Sequence, residues 1–314
     1  MVPDRTTAAA ASARSAELAR RWRDSDAFRR LAERFAGLGE DDVGEIAHRA
    51  HDLLEDDDWT RALLAPGIAA LAEDPWAQPP LAISRDPLRT GAVFFDAGCV
   101  VLTASVAAAD ALAALPPPAS VIVPGRLAIV RYVQSGGARL HLWRAAAAGA
   151  EFGAADAAPA VPLGSLPLGD GVVLRLDGRT RGWWLSGAAA DVVTLTATIR
   201  AGQAPLMREY AVPSGAFLRC ATLDERAARA QMLLTFLRVA GRRDAADRFD
   251  AVSRDATPFL RWSAMREWLA LDALAALPRL GEMAQADPSV EVRTVARDTL
   301  ALVEARRAER QCRG

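Results

Sequence analysis

The sequence predicts an α+β protein of three parts: N-terminal helices, a central antiparallel β-sandwich or barrel, and a C-terminal array of helices. Apolar residues recur at helical spacing near both ends of the chain, whereas short β-rich runs separated by glycine-containing turns fill the middle. We therefore expect a helical segment over 15–80, a β-domain over 81–222 and a helical domain over 223–309. Residues 1–14 are expected to form a disordered tail, and 310–314 a second tail.

The N-terminal segment predicts three helices. Apolar side chains fall on one face of a helix over 15–36, namely Leu18, Trp22, Phe28, Leu31 and Phe35. A second helix is expected to end near residue 54, and a third covers 60–73. Pro75 and the Pro79–Pro80 step then end the helical part, because the residue before a proline is restricted to extended conformations.

The middle of the chain predicts strands from runs rich in Val, Ile, Leu and aromatic residues. Nine such runs cover 91–95, 99–106, 120–123, 127–134, 139–143, 171–176, 182–185, 191–200 and 207–212. Between them, an alanine-rich stretch over 106–115 predicts a short helix, and an Ala-, Gly- and Pro-rich stretch over 145–168 predicts a long loop. Many short strands with glycine-containing turns are typical of a sandwich or barrel.

The C-terminal part returns to helical periodicity, with helices expected over 224–239 and 244–252. The run PFLRWSAMREWLALD at 258–272 is followed by ALPRL at 276–280 and DPSVEVR at 287–293. This succession resembles the HEAT-repeat pattern over about one and a half repeats. The resemblance implies stacked helical pairs, which serve as binding surfaces far more often than as catalytic sites.

The same resemblance implies that Arg293 has a structural role at the repeat turn, with Asp287 or Asp272 as its partner. Trp262, Arg266 and Trp268 are the candidate partner-binding residues of the array. The two tryptophans are six residues apart and so lie on different faces of a helix, which predicts that one is buried between helices. An exposed tryptophan would be an interface anchor.

Composition narrows the classes of function. The formal net charge is −1, from 38 basic and 39 acidic residues, so no general positive field favours nucleic acid or an anionic membrane. All 38 basic residues are arginine, which excludes a P-loop lysine, a Schiff-base lysine and a lysine general base. Three scattered cysteines are too few for a disulfide framework or a zinc knuckle. Neither a secretory leader nor a membrane span is expected, which predicts a cytoplasmic protein.

A candidate metal site lies on the second helix, where Glu45, His48, His51 and Asp52 occur within eight residues. Histidines and carboxylates are the ligands that zinc and iron prefer, and Glu45, His48 and Asp52 share one helical face. Against this, the histidines are three residues apart and not four as in H-E-x-x-H, and helices dense in charged residues are commonly solvated. The metal site therefore belongs to an alternative interpretation, and the main interpretation has no cofactor.

The stretch PLGDGVVLRLDGRTRGW at 167–183 resembles the second half of a small cupin-type barrel, and the likeness extends over about 120–212. Metal-binding cupins carry two histidines separated by one residue, then a glutamate, then a later histidine. Here the strand ARLHLWR at 138–144 has His141 alone, and the second motif has no histidine. The resemblance therefore implies a β-domain without the cupin metal centre.

If that barrel has a mouth, aromatic residues and an arginine are expected to line it. The candidate ligand-binding residues are His141, Trp143, Arg181, Trp183, Trp184 and Tyr210. Such a lining suits an anionic or aromatic ligand. Trp183 and Trp184 are adjacent, so they face opposite sides of a strand and one of them is expected in the core.

The chain has no G-x-S-x-G, G-x-G-x-x-G or P-loop motif. We expect a non-catalytic binding or accessory protein, whose helical array engages a protein partner. The β-domain would support that array or bind a small molecule, and neither nucleic acid nor a membrane is an expected partner. The alternative is an enzyme, either cupin-like or using His48, His51 and neighbouring acids around a metal.

Overall fold

The computed structural model describes residues 5–56, 58–149, 152–153 and 157–311. The helices are α1 (Arg5–Arg23), α2 (Asp26–Phe35), α3 (Val43–Glu55), α4 (Asp58–Glu73), α5 (Ala109–Ala114), α6 (Glu225–Val239), α7 (Ala246–Val252), α8 (Pro258–Leu271), α9 (Ala273–Ala286) and α10 (Val290–Gln311). The strands are β1 (Ala82–Arg85), β2 (Arg89–Asp96), β3 (Val100–Ala107), β4 (Ser120–Val123), β5 (Leu127–Gln134), β6 (Arg139–Arg144), β7 (Val161–Pro167), β8 (Val173–Asp177), β9 (Arg181–Ser186), β10 (Val192–Ile199), β11 (Leu206–Ala211) and β12 (Phe217–Thr222). Helices therefore flank a central set of strands, which confirms the predicted α+β class.

The chain divides into two compact units. The first comprises Met1–Ala147, Ala158–Ala204 and Arg208–Arg219, and the second comprises Ala148–Ala157, Pro205–Met207 and Cys220–Gly314. The predicted boundary at residue 80 therefore falls inside one unit. The reason is packing, because the apolar faces of α2, α3 and α4 share one core with the strands that follow them.

That core lies on one face of a six-stranded antiparallel sheet with the order β1-β2-β3-β10-β5-β8. Leu31, Ile46 and Leu54 from the helices meet Leu102 and Ile129 from the strands. The side chain of Arg131 on β5 donates hydrogen bonds to the carbonyl oxygens of the last turn of α3, which are free of helical partners. The helices are thus a covering layer of the β-domain.

The opposite face of the six-stranded sheet packs on a three-stranded sheet of order β7-β6-β9. Leu140 and Trp183 from the small sheet join Val130, Tyr132 and further apolar residues of the large one. A third sheet has the order β12-β11-β4. The sheets are sandwich-like, and no pairing among the described strands closes them into the barrel that was offered as the other possibility.

The turn between β5 and β6 depends on glycine. Gly136 has a φ of +58°, and a Cβ atom there would lie 2.1 Å from the carbonyl oxygen of Ala190. Any other residue would therefore meet both backbone strain and a steric clash. This turn fixes where β6 begins, and so positions His141 and Trp143 on that strand.

Three local differences from the sequence prediction have simple causes. The helix expected over 15–36 is broken because Ser25 caps α2: its Oγ accepts a hydrogen bond from the Phe28 amide and donates one to the Trp22 carbonyl. Helix α1 already begins at Arg5, where alanine-rich sequence favours a helix, while residues 1–4 lie outside the described part. Strand β7 lies in the expected loop, and its Pro162 and Pro167 are tolerated because β7 is an edge strand.

The second unit consists mainly of α6 to α10, close to the predicted helices. Phe249, Met265, Trp268, Leu280 and Met283 form the centre of its core. The side chain of Asp224 caps α6 by accepting hydrogen bonds from the Arg226 and Ala227 amides. Among the described helices of either unit, none is long and apolar enough to cross a membrane.

Candidate functional site

The six residues predicted to line one mouth occupy four environments. Trp183 faces the sandwich interior. Trp143 and Tyr210 are 6% and 1% exposed and pack with Val121 and Val123 in a separate apolar cluster. Arg181 is exposed at the start of β9. The structure therefore does not gather the set around a single opening, although it does orient the adjacent tryptophans toward opposite sides of β9.

His141 and Trp184 are the two members that the structure brings together. They pair across β6 and β9, and their rings stack with centroids 3.8 Å apart and an interplanar angle of 2°. His141 Nε2 lies 2.7 Å from Ser186 Oγ. Partial burial, together with the positive charge of Arg139, lowers the pKa of His141. The imidazole is thus half-buried and stacked on the Trp184 indole.

The candidate metal residues lie on α3, where each pairs with a neighbour one turn away. Glu45 accepts a hydrogen bond of 2.6 Å from Arg49, and His48 Nε2 lies 3.5 Å from Asp52 Oδ2. Among the described residues, the group close enough to share an ion is His51, Asp52 and Glu55, with ligand atoms within 4.8 Å of one another. Glu45 and His48 therefore lie outside this group, and Glu55 belongs to it. The group is largely exposed to solvent.

The predicted partner-binding trio lies on α8. Trp268 is 6% exposed and stacks on Phe249 in the core, whereas Trp262 is half-buried and Arg266 is exposed. This arrangement matches the expectation that one tryptophan is buried between helices. Trp262 and Arg266 are therefore the members of the trio that solvent reaches.

Arginines hold the turn between α9 and α10, and Arg293 contacts Asp287, one of its two expected partners, through the backbone carbonyl and not through the carboxylate. Arg293 donates to the carbonyl oxygens of Asp287 and Pro288, and the Asp287 carboxylate accepts two hydrogen bonds from Arg261 at 2.6 and 2.9 Å. Burial acts to raise the pKa of Asp287, but the bonds from Arg261 and the Ser289 amide outweigh it and lower the pKa. Asp272 instead caps α9 through the Ala275 amide.

An apolar surface on α6 was not anticipated from the sequence. Met232, Leu233, Phe236 and Val239 are 65%, 55%, 64% and 72% exposed, although each is a large apolar side chain. Their spacing of one, three and four residues places them side by side on one helical face, hereafter the α6 face. The opposite side of the helix supplies Leu234 and Leu237 to the core.

The sequence did contain a signal for this surface. Apolar residues occur on both sides of α6, and a helix that packs on a single layer can bury only one of them. The apolar residues of this segment predict the helix over 224–239, but taken together they do not distinguish its two sides. Leu234 and Leu237 lie on one side of the helix, and Met232, Phe236 and Val239 lie on the other. Treating the two sides separately would have predicted an exposed apolar face.

A second unanticipated feature is a cavity of about 730 Å³ in the helical unit. Arginines and acids line it together, among them Arg254, Arg279 and Glu282. In the sequence Arg254 is separated from Arg279 and Glu282 by all of α8, and nothing in their spacing shows that the fold brings them together.

No protein-family model matches the chain, and no curated protein matches it. One similar solved structure is a sugar phosphate isomerase from a cupin superfamily, from Silicibacter pomeroyi DSS-3, with 14% identity over 44% of this chain and 78% of that one and a TM-score of 0.25. A cupin domain from Bordetella pertussis Tohama I has 17% identity over 38% and 99%, with a TM-score of 0.23. Hydroxypropylphosphonic acid epoxidase from S. wedmorenis has 9% identity over 59% and 96%, with a TM-score of 0.26.

Two of these structures are described as cupins. At such identities and TM-scores the likeness carries no argument about this chain. The α+β architecture stated above comes from the helices and strands themselves. The HEAT resemblance of the C-terminal helices stays a prediction.

Proposed function

We propose that this protein is a non-catalytic binding protein whose helical unit holds a partner protein on the α6 face. The observation that carries the proposal is the exposure of Met232, Leu233, Phe236 and Val239 on one helix, each by more than half of its surface. Isolated exposed apolar residues are ordinary, but a contiguous patch of large ones typically marks an interaction surface.

The shape of the α6 face suits an amphipathic helix as the occupant. From Met232 to Val239 the helix rises about 10 Å, or two turns. Helices that dock on such a surface place apolar anchors at positions i, i+3, i+4 and i+7, which match this length. The aromatic ring of Phe236 lies in the middle of the patch, where anchors contribute most to binding.

The charges around the α6 face favour an acidic partner. Arg229 precedes Met232 by one turn on the same side, and Arg243 follows the helix in the turn Arg243–Ala245. Neither arginine side chain has an ion-pair or hydrogen-bond partner among the described residues, while Glu225 is the acidic residue in the first turn of this face. We therefore infer that the partner presents an apolar ridge flanked by Asp or Glu.

We further propose that α8, α9 and α10 form a HEAT-like array that keeps this surface rigid. Support comes from the buried pairing of Arg261 with Asp287 and from Arg293 at the same turn. The β-domain would support the helical unit or bind a small ligand beside His141 and Trp184. Neither role requires a metal or a nucleophile.

Site-specific photo-crosslinking in the full-length chain tests the proposal. A benzophenone amino acid replaces Leu233, the protein is irradiated in native extract, and the linked peptide is sequenced. We expect a linked segment that is helical, amphipathic and acidic. Phe236→Glu should reduce the yield at least about tenfold, because the change buries a charge at the centre of the contact.

Leu274→Glu provides the matched control, since Leu274 is a 69% exposed leucine on α9, away from the α6 face. It should leave the cross-link unchanged. If the linked segment belongs to a second copy of this chain, the α6 face is a self-interface and the proposal is wrong. If Phe236→Glu leaves the cross-linking yield unchanged, the proposal is wrong as well.

A further inference from the structure

The cavity in the helical unit lies where two interhelical turns meet. Residues 254–256 follow α7, residues 286–289 join α9 to α10, and both stretches line it. Its volume of about 730 Å³ lies within the range of about 300–1,000 Å³ that small-molecule sites occupy. Charged side chains alternate with Ala256, Pro258 and Pro288, so polar and apolar groups of one ligand would both find contacts.

One arginine of the lining has a structural role. Arg261 is 6% exposed in its side chain, and its partner Asp287 is 0% exposed. Two of its nitrogens bind the Asp287 carboxylate, and the third donates to the carbonyl oxygens of Asp255 and Ala256. Four of the five N–H donors of Arg261 are therefore engaged within the protein, and this buried side chain forms one wall of the cavity.

The other two arginines converge on one oxygen atom. Arg254 Nη2 lies 3.0 Å and Arg279 Nη1 lies 3.1 Å from Glu282 Oε2. Arg279 is 12% exposed in its side chain and is held in place by the hydroxyl and carbonyl oxygens of Ser253. Arg254 is anchored by Asp250 through Nε and Nη2, which leaves Nη1 without a hydrogen bond among the described residues. Two positioned guanidinium groups aimed at one point are the usual means of binding an oxyanion.

Glu282 is the most exposed acid of this arrangement. Its side chain is 53% exposed, so turning it into solvent would cost little. Without Glu282, Arg254 would keep its ion pair with Asp250, whereas Arg279 would have no acidic partner within ion-pair distance among the described residues. The displaced carboxylate would thus leave one uncompensated guanidinium group beside a second one.

The ends of two helices add to the positive potential. Pro258 begins α8, which has 14 residues, and Ser289 immediately precedes α10, which has 22; both residues line the cavity. Helix N-termini carry partial positive charge and favour phosphate groups. Both arginines now share one oxygen of the Glu282 carboxylate, whereas a phosphate can offer each guanidinium an oxygen of its own.

We infer that this cavity binds the phosphate group of a small organic phosphate, with Arg254 and Arg279 as its ligands and the Glu282 carboxylate in its place when no ligand is bound. The inference does not depend on the α6 face. The organic part of the ligand would lie against the alanine and proline side chains of the lining.

Calorimetric titration of the full-length chain with inorganic phosphate tests this inference. Glu282→Gln should bind phosphate at least about tenfold more tightly than the unmodified chain, because the ligand no longer displaces an ionised carboxylate. Adding Arg254→Gln to that variant should remove the gain. Arg254 is suited to this test because its side chain is 49% exposed, so its loss should not unfold the unit.

Glu225→Gln, which removes an exposed acid on α6 outside the cavity lining, is the matched control and should leave phosphate affinity unchanged. Acetate titrations separate phosphate from carboxylate chemistry. If Glu282→Gln strengthens acetate binding as much as phosphate binding, the phosphate assignment is wrong. If Glu282→Gln binds phosphate no better than Glu225→Gln, or if the gain survives the loss of Arg254, the site itself is refuted.

Discussion

The sandwich of the first unit and the turns and helix α6 of the second unit differ in how closely they pack. Between its two packed sheets the first unit is closely packed, with Tyr132, Leu140 and Leu176 all at most 3% exposed. The helical unit leaves a cavity of about 730 Å³ at its turns and exposes four large apolar residues along α6. Close packing of the first kind stabilises a fold, whereas an open cavity and a contiguous exposed apolar face are features that ligands and partners use.

The two units also differ in one interaction that stabilises them. The sandwich gains its stability from apolar area removed from water. The helical unit carries a buried ion pair at the α9–α10 turn, where Arg261 and Asp287 close one side of the cavity. A buried pair adds little net stability, but removing one partner leaves an uncompensated charge.

The largest expected effect comes from breaking that pair. Arg261→Ala should cost about 3–5 kcal/mol, because the Asp287 carboxylate then stays buried without its counter-charge. Hydrogen exchange of peptides from α8 and α9 measures the loss locally, which matters because a protein with two units need not unfold in one step. Strands of the first unit should keep their protection.

Arg254→Ala is the control for this change. Its ion pairs with Asp250 and Glu282 are about half exposed, and pairs of that kind contribute about 0–1 kcal/mol. If Arg261→Ala and Arg254→Ala reduce stability equally, Arg261 is not the structural residue and Arg254 the accessible one, as we infer.

The next prediction compares a leucine inside the sandwich with a methionine on the α6 face. Leu140→Ala should cost about 2–5 kcal/mol, because Leu140 is fully buried and its removal leaves a cavity. Met232→Ala should change stability by less than about 0.5 kcal/mol, because Met232 is 65% exposed. Chemical denaturation, monitored by hydrogen exchange of individual peptides, measures the stability change of both variants. A loss of more than about 2 kcal/mol for Met232→Ala would show that the α6 face is packed in solution.

Much of the fold could be predicted because the spacing of apolar residues and the capping residues, prolines and glycines agree with it. The helices α6, α8 and α9 begin at caps or at a proline, and most strands follow runs of β-branched residues. Strand β7 was missed because its sequence, VPLGSLP, has weak β-propensity and exists as a strand only through its pairing with β6. The break at Ser25 was missed because the apolar periodicity continues across it.

The candidate sites were predicted less well than the fold. His141 and Trp184 were both named, but their stacking depends on the register of β6 with β9, which no local pattern reveals. Arg254, Arg279 and Glu282 meet only because the turn that follows α7 lies against α9. Exposure of Phe236 depends on which side of α6 faces its neighbours, and this is a tertiary property.

The smallest expected effect is a pH dependence of stability that arises from the half-buried face with His141 and Trp184. The folded-state pKa of His141 lies below its usual value, so between the folded and unfolded values the unfolded chain binds more protons. Stability should therefore fall as the pH drops below about 6.5, and the loss should be complete once the pH passes the folded pKa. His141→Gln, which keeps a polar partner for Ser186 Oγ, should reduce this dependence.

Exchange of β6 and β9 peptides at pH 7.5 and at lower pH, for the unmodified chain and for His141→Gln, measures the effect; an NMR titration of the imidazole gives the pKa directly. His48→Gln is the control, because His48 is 70% exposed on α3 and should leave the pH dependence of β6 and β9 unchanged. A ligand that stacks beside Trp184 would bury His141 further and lower its pKa again. If His141 instead titrates at its ordinary value and its loss leaves the pH dependence intact, this face is open to water, and the β-sheet unit retains only its role as a filled support.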